Sequence, residues 1–411
     1  MNTWLLSRAE LTPEQIRAIE LSPSEHRVIL GPPGSGKTQI LLHRARYLCD
    51  TWKTLAGRFQ IFVFTNVLKE YIRSALDLLD LPLDCISTLD SWCYTFYEER
   101  IGGKIPWDAA NRVPDFPEIR RRVLEEVRRH PSRAPRYDFV MLDEGQDLDG
   151  TSFDLLRTIA RHVTVCMDHK QRIYERGAGE AEILKRLGLR KRNITLLQAF
   201  RCCPYVARTA AVFVDDPEEK RLYLQQVKTY QGEKETPVFY RASDLDDEKR
   251  RLGEVLRVRL AKGERVAVLF NQRRQVFGFA NSLRQAGIEI ETMEDLDFSS
   301  SSPKFITYHS AKGLTFDTVL IPRLVGGSFP KKQEESIIRL LFVGITRATK
   351  WVYLSAVQGK ELRCLSRLQP LVSEGVLTSQ SGSALVLPPQ DRPSPPEIPN
   401  DEDEIDVIDL L

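Results

Sequence analysis

The sequence predicts an α/β protein of two domains, each a parallel sheet covered by helices, followed by an acidic tail without fixed structure. Three observations predict it. Short apolar runs of strand length alternate with helical patterns along most of the chain. A glycine-rich loop, Gly31-Pro32-Pro33-Gly34-Ser35-Gly36-Lys37-Thr38, separates one such run from a helix. Farther along, the run 139–142 ends in two adjacent carboxylates, Asp143 and Glu144.

In chain order, the apolar runs 28–30, 61–64, 139–142, 163–166 and 194–197 read as the strands of a first domain, residues 1–197. The runs 238–240, 266–270, 305–307, 318–321 and 352–354 read as those of a second, residues 198–377. The loop between the strand at 28–30 and the helical pattern from Gln39 to Ala45 has the context of a phosphate cradle. Its glycines let backbone N–H groups turn toward phosphates, Lys37 supplies a point charge, and the Thr38 hydroxyl can ligate Mg²⁺. The helix N-terminus adds partial positive charge. A plain glycine-rich turn is the alternative. Asp143 is placed to hold the Mg²⁺ through its water shell, and Glu144 to orient and deprotonate an attacking water. Together the two segments specify hydrolysis of a nucleoside triphosphate.

The composition is that of an ordinary water-soluble protein: 42% hydrophobic, 28% charged and a mean hydropathy of −0.30. No apolar run approaches the ~18 residues of a membrane span, and Met1-Asn2-Thr3-Trp4 opens no signal peptide, so a cytoplasmic location is expected. Seven cysteines (49, 85, 93, 166, 202, 203, 364) lack metal-type spacing and read as reduced thiols. Charge is uneven. Residues 391–411 hold eight carboxylates against Arg392 alone, which leaves the remainder of the chain basic and compatible with a phosphate backbone.

A helical, basic insertion is expected at about 97–136, with Arg120-Arg121-Arg122 and Arg128-Arg129. It reads equally as a solvated helix face paired with Glu125 and Glu126, or as a nucleic-acid contact. Residues 378–411 are rich in Ser and Pro, then acidic, and are expected to be disordered. Their apolar tip suits a protein partner, a solubilising role or self-inhibition.

Several segments resemble, in order, the UvrD/Rep family of superfamily I helicases. Leu11-Thr12-Pro13-Glu14-Gln15 resembles the family's adenine-reading segment, which puts Gln15 on the base edge. The stretches Phe62-Val63-Phe64-Thr65-Asn66 and Ser87-Thr88-Leu89-Asp90-Ser91-Trp92 resemble its strand-binding segments. Asp143-Glu144-Gly145-Gln146-Asp147 matches its DExQD box, and Met167 to Tyr174 resembles the segment whose Gln, here Gln171, senses the γ-phosphate. Gln198-Ala199-Phe200-Arg201 resembles its N-Y-R. Thr307-Tyr308-His309-Ser310-Ala311-Lys312-Gly313-Leu314-Thr315-Phe316-Asp317 and the segment Arg339 to Ala348 resemble two later motifs.

The resemblance implies two RecA-like P-loop NTPase domains with ATP and Mg²⁺ in the cleft between them. The catalytic set it implies is Lys37, Thr38, Asp143, Glu144 and Gln171, completed from the second domain by Arg201 and Arg347. ATP contacts fall on Gln15, the loop from Gly31 through Pro32, Pro33, Gly34, Ser35 and Gly36 to Thr38, and on Gln39, Phe200 and Gly313. Phe64, Thr65, Asn66, Ser91, Trp92, Tyr174 and His309 are expected to contact single-stranded DNA, with RNA less favoured. Buried aromatics and local turn caps are the alternatives for these seven.

The chain departs from the family pattern in four places. The run after Tyr174 is one residue short and lacks an aromatic, Thr315 stands where the family has Glu, and Gln39 stands where it often has Arg. Only 106 positions separate Arg201 from Thr307, which leaves no room for the family's large accessory subdomain. The expected function is therefore a compact, ATP-driven 3′→5′ motor on single-stranded DNA. The alternative is a nucleotide-switched DNA-binding subunit that recruits a nuclease or other effector. Repair, phage defence and mobile-element roles fit both.

Overall fold

The structure is a computed structural model that describes residues 4–32, 34–109, 112–168, 178–191, 194–196, 202–226, 232–330 and 332–382. The first domain holds β1 (Arg27–Leu30), β2 (Phe59–Val63), β3 (Ile86–Thr88), a ribbon of β4 (Trp107–Asp108) and β5 (Val113–Pro114), then β6 (Tyr137–Leu142), β7 (Ala160–Met167) and β8 (Ile194–Thr195). Apart from the ribbon, these strands form one sheet in the order β3-β2-β6-β7-β1-β8, with every neighbouring pair parallel. Alternate residues feed its two faces. Ile29, Ile61 and Met141 enter one core and Val28, Phe62, Val140 and Leu142 the other, which is why these strands read as continuous apolar runs.

Seven helices accompany this sheet: α1 (Pro13–Ile19), α2 (Lys37–Trp52), α3 (Asn66–Leu76), α4 (Leu89–Phe96), α5 (Phe116–Arg129), α6 (Gly150–Ile159) and α7 (Glu180–Arg186). Helices α2 and α3 supply the first core, α4 to α6 the second. Thr65, Thr88 and Asp149 cap α3, α4 and α6, their side chains accepting from Leu68 N, Ser91 N and Ser152 N. All three caps lie past strand C-termini or the carboxylate loop, so the polar residues that follow gather along one edge of the sheet.

The second domain runs α8 (Pro204–Ala211), α9 (Pro217–Gln226), β9 (Val238–Ala242), α10 (Leu245–Ala261), β10 (Val266–Phe270), α11 (Arg273–Gln285), β11 (Glu291–Thr292), β12 (Lys304–Thr307), β13 (Phe316–Ile321), α12 (Glu334–Ile345), β14 (Ala348–Val357) and β15 (Thr378–Ser381). Its parallel sheet has the order β11-β12-β10-β13-β14-β9-β15. Helices α10 and α11 cover one face, while α8 and α12 lie on the other, in a core continuous with that of the first domain. Every strand expected from the apolar runs is present.

Two expectations need correction. The tail does not begin at 378, because β15 pairs residue for residue with β9 from Thr378 to Ser381. Residues 383–411 lie outside the described residues, as does the domain boundary expected near 197. The insertion is helical only in part, since it includes the β4–β5 ribbon. Its arginines are largely engaged. Arg120 is buried and pairs with Asp90 and, at 3.0 Å, with Asp149, whereas Arg121 and Arg122 each reach Glu118 at 2.7 Å. The paired-face reading of this helix is the one the geometry favours. Among the described residues no helix is long and apolar enough to cross a membrane.

Beneath the first sheet, Arg44 is fully buried and has no carboxylate partner among the described residues. It donates to Ile19 O at 2.7 Å, Leu21 O at 2.8 Å, Thr164 Oγ1 at 2.9 Å and His162 Nε2 at 3.2 Å. Burial first, then Arg44 and His26, push the His162 imidazole down to about 2. A folded-state value below the unfolded one favours the neutral ring, so this stability is present above about pH 6.5 and lost as pH falls. Denaturant titrations from pH 7 to pH 5 are expected to lose about 1.4 kcal/mol per unit below pH 6.5 from His162 alone. A His162→Gln variant with the same slope would refute the assignment.

Candidate active site

The phosphate loop leaves β1 and enters α2 at Lys37. Gly34 (φ 71°) and Gly36 (φ 82°) take left-handed conformations that a side chain would strain, which is what lets the loop curl. Lys37 Nζ donates to Gly31 O at 2.9 Å and Pro32 O at 3.1 Å, and lies 3.9 Å from Asp168 Oδ2. Ser35 Oγ is buried without a hydrogen-bond partner. The Thr38 hydroxyl donates to Asp143 Oδ2 at 2.7 Å, joining the loop to the end of β6.

Asp143 and Glu144 are both buried. Glu144 has φ 53°, a left-handed conformation unusual for a side-chain-bearing residue, and its N–H donates to Asp143 Oδ1 at 3.0 Å. Gln146 holds it from the other side, with Nε2 donating to Glu144 Oε2, while Gln146 Oε1 accepts from Asp168 N at 2.9 Å. The two carboxylates have opposite electrostatics. Burial and then the Glu144 charge push Asp143 up to about 6. Burial also pushes on Glu144, but Lys312, Lys37 and Arg347 outweigh it and hold the carboxyl below its usual range. Glu144 is thus kept ionised, as a base must be.

Two of those cations come from the second domain. Lys312, in the turn after β12, is buried, forms an ion pair with Asp147, and lies 3.5 Å from Glu144 Oε2. Arg347, past the end of α12, is buried and held by Val343 O at 3.0 Å and Thr346 Oγ1 at 3.2 Å. Burial lowers its pKa, and Glu144 and Asp168 are the opposing charges that act on it. Gly313 (φ 80°) is where the domains approach closely, since a Cβ there would sit 3.0 Å from the Leu68 side chain of α3.

Two family models match the chain. An AAA domain model matches residues 15–176, which contain the phosphate loop and both carboxylates, and a UvrD-like helicase C-terminal domain model matches residues 299–359, which contain Lys312 and Arg347. Together the matches support a UvrD/Rep-type superfamily I helicase. A "Probable DNA helicase" of Mycoplasma pneumoniae is 25% identical over 269 residues, 60% of this chain and 49% of that protein. A "Probable DNA helicase II homolog" of the same organism is 33% identical over 96 residues, 21% of this chain and 13% of that one. The chain thus spans about half the length, or less, of these curated relatives. Among solved structures, the C-terminal domain of a possible DNA helicase from Lactobacillus plantarum WCFS1 aligns with a TM-score of 0.34 and 15% identity, covering 44% of this chain and 97% of that one.

The structure places Lys37, Thr38, Asp143, Glu144 and Arg347 in one neighbourhood. Pro33, Gln171, Tyr174, Phe200 and Arg201 lie outside the described residues. Trp92 is committed to packing: its ring stacks on Phe96 at 5.5 Å, meets Phe62 edge-on at 6.0 Å, and its Nε1 donates to Tyr137 OH at 3.0 Å. Thr65 serves as a helix cap, and Ser91 N donates to the Thr88 cap at 3.0 Å. Asn66 Oδ1 is buried without a hydrogen-bond partner, and Phe64 is half-buried under Lys312, whose Nζ lies 5.9 Å from the ring centre. Burial, then Lys332 and Lys312, push His309 down to about 4, so it is neutral near pH 7. Gln15 and Gln39 both have their amides engaged by backbone groups.

Lys312, Gln146, Asp147 and Asp168 were not among the expected site residues. Their signal was adjacency, because Lys312 stands between His309 and Gly313, and Gln146 and Asp147 complete the box opened by Asp143. Among the described residues no group of three or more His, Cys, Asp and Glu could hold a metal unaided. A Mg²⁺ that takes most ligands from phosphates and water needs none. The Thr38–Asp143 contact brings two suitable oxygens together, and the buried, unpartnered Ser35 hydroxyl faces the same loop, so these residues fit a Mg²⁺–nucleotide.

Proposed function

We propose that the chain is an ATP-dependent translocase on single-stranded DNA, moving 3′→5′ and hydrolysing Mg²⁺-ATP between its two domains. The observation that carries this reading is Lys312, which reaches from the second domain into the carboxylate cluster of the first. A hydrolytic site whose charge balance is supplied across the cleft is complete only when the domains close. Repeated closing and opening is what moves a strand held across both domains.

Each residue then has a task. Glu144 takes the proton of the attacking water, held ionised by Lys312, Lys37 and Arg347 and oriented by Gln146. Lys37 leaves its two carbonyl partners for the β- and γ-phosphates. Thr38 and Asp143 would hold Mg²⁺, which when bound supplies charge neutralisation at the phosphates. Arg347, with Arg201, meets the charge on the transferred phosphoryl group, and Gln171 senses the γ-phosphate. Phe64, Thr65, Asn66, Ser91, Tyr174 and His309 contact the strand.

The test compares ATPase rates with single-stranded DNA, duplex and RNA. Single-stranded DNA is expected to stimulate most, and no stimulation would refute the motor. Displacement of streptavidin from the 5′ end of an oligonucleotide, and not from the 3′ end, is expected for the stated polarity. Stimulation without displacement from either end would favour the nucleotide-switched binding subunit.

A further inference from the structure

We infer that Thr346 is the positioning residue of Arg347, its hydroxyl setting the direction in which the guanidinium meets the transferred phosphoryl group. This rests on the hydrolysis reading above, which gives Arg347 that task.

The end of α12 is a fixed platform. Gly344 packs so closely on Tyr308 that a Cβ there would lie 2.8 Å from the ring, and Phe342 meets Tyr223 of α9 edge-on at 5.3 Å. Thr346 N donates to Phe342 O at 3.0 Å, Arg347 N to Gly344 O at 3.2 Å, and Phe316 N, at the start of β13, to Arg347 O at 2.9 Å. The backbone on both sides of Arg347 is therefore held. What remains to be fixed is its long side chain.

Three acceptors fix it. Nε donates to Val343 O at 3.0 Å, Nη2 to Thr346 Oγ1 at 3.2 Å and Nη1 to Leu314 O at 3.4 Å. The Thr346 hydroxyl has its own proton committed, because it donates to Val343 O at 2.9 Å. Its oxygen therefore meets the guanidinium as an acceptor. A threonine near a helix end often bonds a carbonyl three or four residues back, and the bond to Val343 alone would be no more than that. The bond from Nη2 gives the hydroxyl a task beyond ending the helix.

A guanidinium carries five N–H donors, so these three bonds leave two, one on each terminal nitrogen. Such a pair is the planar fork that fits two oxygens of one phosphoryl group. Arg347 is buried, and the carboxylates whose charge acts on it, Glu144 and Asp168, belong to the first domain. One edge of the arginine is thus tied to its own domain, and the fork is left for the cleft.

The experiment measures phosphate release by the full chain with Mg²⁺-ATP and single-stranded DNA, for position 346 variants in the wild-type and Arg347→Ala backgrounds. Thr346→Val keeps the shape and removes the hydroxyl. It is expected to lower kcat at least about tenfold, the worth of one hydrogen bond to a charged group, with KM for ATP changed less than about twofold. Thr346→Ala is expected to match it, and Thr346→Ser to keep kcat within about threefold of wild type. In the Arg347→Ala background Thr346→Val is expected to change the residual rate less than about twofold, since nothing is left to position. Equal losses in both backgrounds would mark a merely structural role and overturn the inference, as would Thr346→Ser as slow as Thr346→Val. Slow Arg347→Ala beside fast Thr346→Val would refute the inference alone, whereas Arg347→Ala as fast as wild type would refute both it and the task given to Arg347.

Discussion

Glu144→Gln is expected to bind ATP and fail to turn it over, with kcat lower by about 10²- to 10⁴-fold, the usual worth of a positioned general base. The substitution keeps shape and much of the hydrogen-bonding capacity while removing the carboxylate proposed to take the proton of the attacking water. Glu144 suits the task because Lys312, Lys37 and Arg347 overcome its burial and keep it ionised. At Asp143, burial and the Glu144 charge outweigh the Thr38 hydrogen bond and Lys37 and push the carboxyl up to about 6. A raised carboxylate pKa means the charged form is lost early on acidification, so Mg²⁺ binding by the metal-free site is expected to weaken as pH drops through about 6. Added Mg²⁺ should move that transition to lower pH. Single-turnover phosphate release checks the first expectation, and a variant retaining a tenth of wild-type kcat would sink it.

Lys312→Ala is expected to cost about 3–5 kcal/mol of stability, the range for removing one member of a buried ion pair. Its ammonium pairs with Asp147 and lies 3.5 Å from Glu144, with all three side chains nearly or wholly buried. Without Lys312 the buried carboxylates Asp147 and Glu144 lose the cation that lies beside both. Their folded pKa values then rise above the unfolded ones, so the variant's deficit is greatest at neutral pH and shrinks as pH falls toward the unfolded carboxylate range. Adding Asp147→Asn should restore part of the loss, because it removes the stranded charge. Chemical denaturation at pH 7.5 and pH 5.5 measures both effects. A loss under about 1 kcal/mol, the same at both pH values, would show that the contact does not join the domains as described.

The loop from Gly31 to Thr38 and the strand ending in Asp143 and Glu144 were legible because each is a local pattern whose chemistry is set by neighbours in sequence. The parallel sheets were legible for a related reason, since strands buried on both faces must be apolar throughout. Strand β3 and strand β15 were not. Ile86-Ser87-Thr88 is too short to show a period, and Thr378-Ser379-Gln380-Ser381 is polar because it closes the edge of the sheet, where only backbone pairing with β9 is required.

Side-chain commitment was the other thing hidden. Trp92 sits in a segment that resembles a strand-binding one, yet its ring fills the space between Phe62 and Phe96. Arg120 belongs to a basic run, yet Asp90 and Asp149 hold it in the interior. By itself the sequence determined the class of fold and pointed to the loop and the two carboxylates for which phosphate-transfer roles are proposed. Only the tertiary structure decided that Lys312 completes this site from the far domain and that Gln15 and Gln39 have their amides engaged by backbone. The physical reason is that residue type records what a side chain is able to bond, whereas burial and the groups across a cleft determine what it does bond.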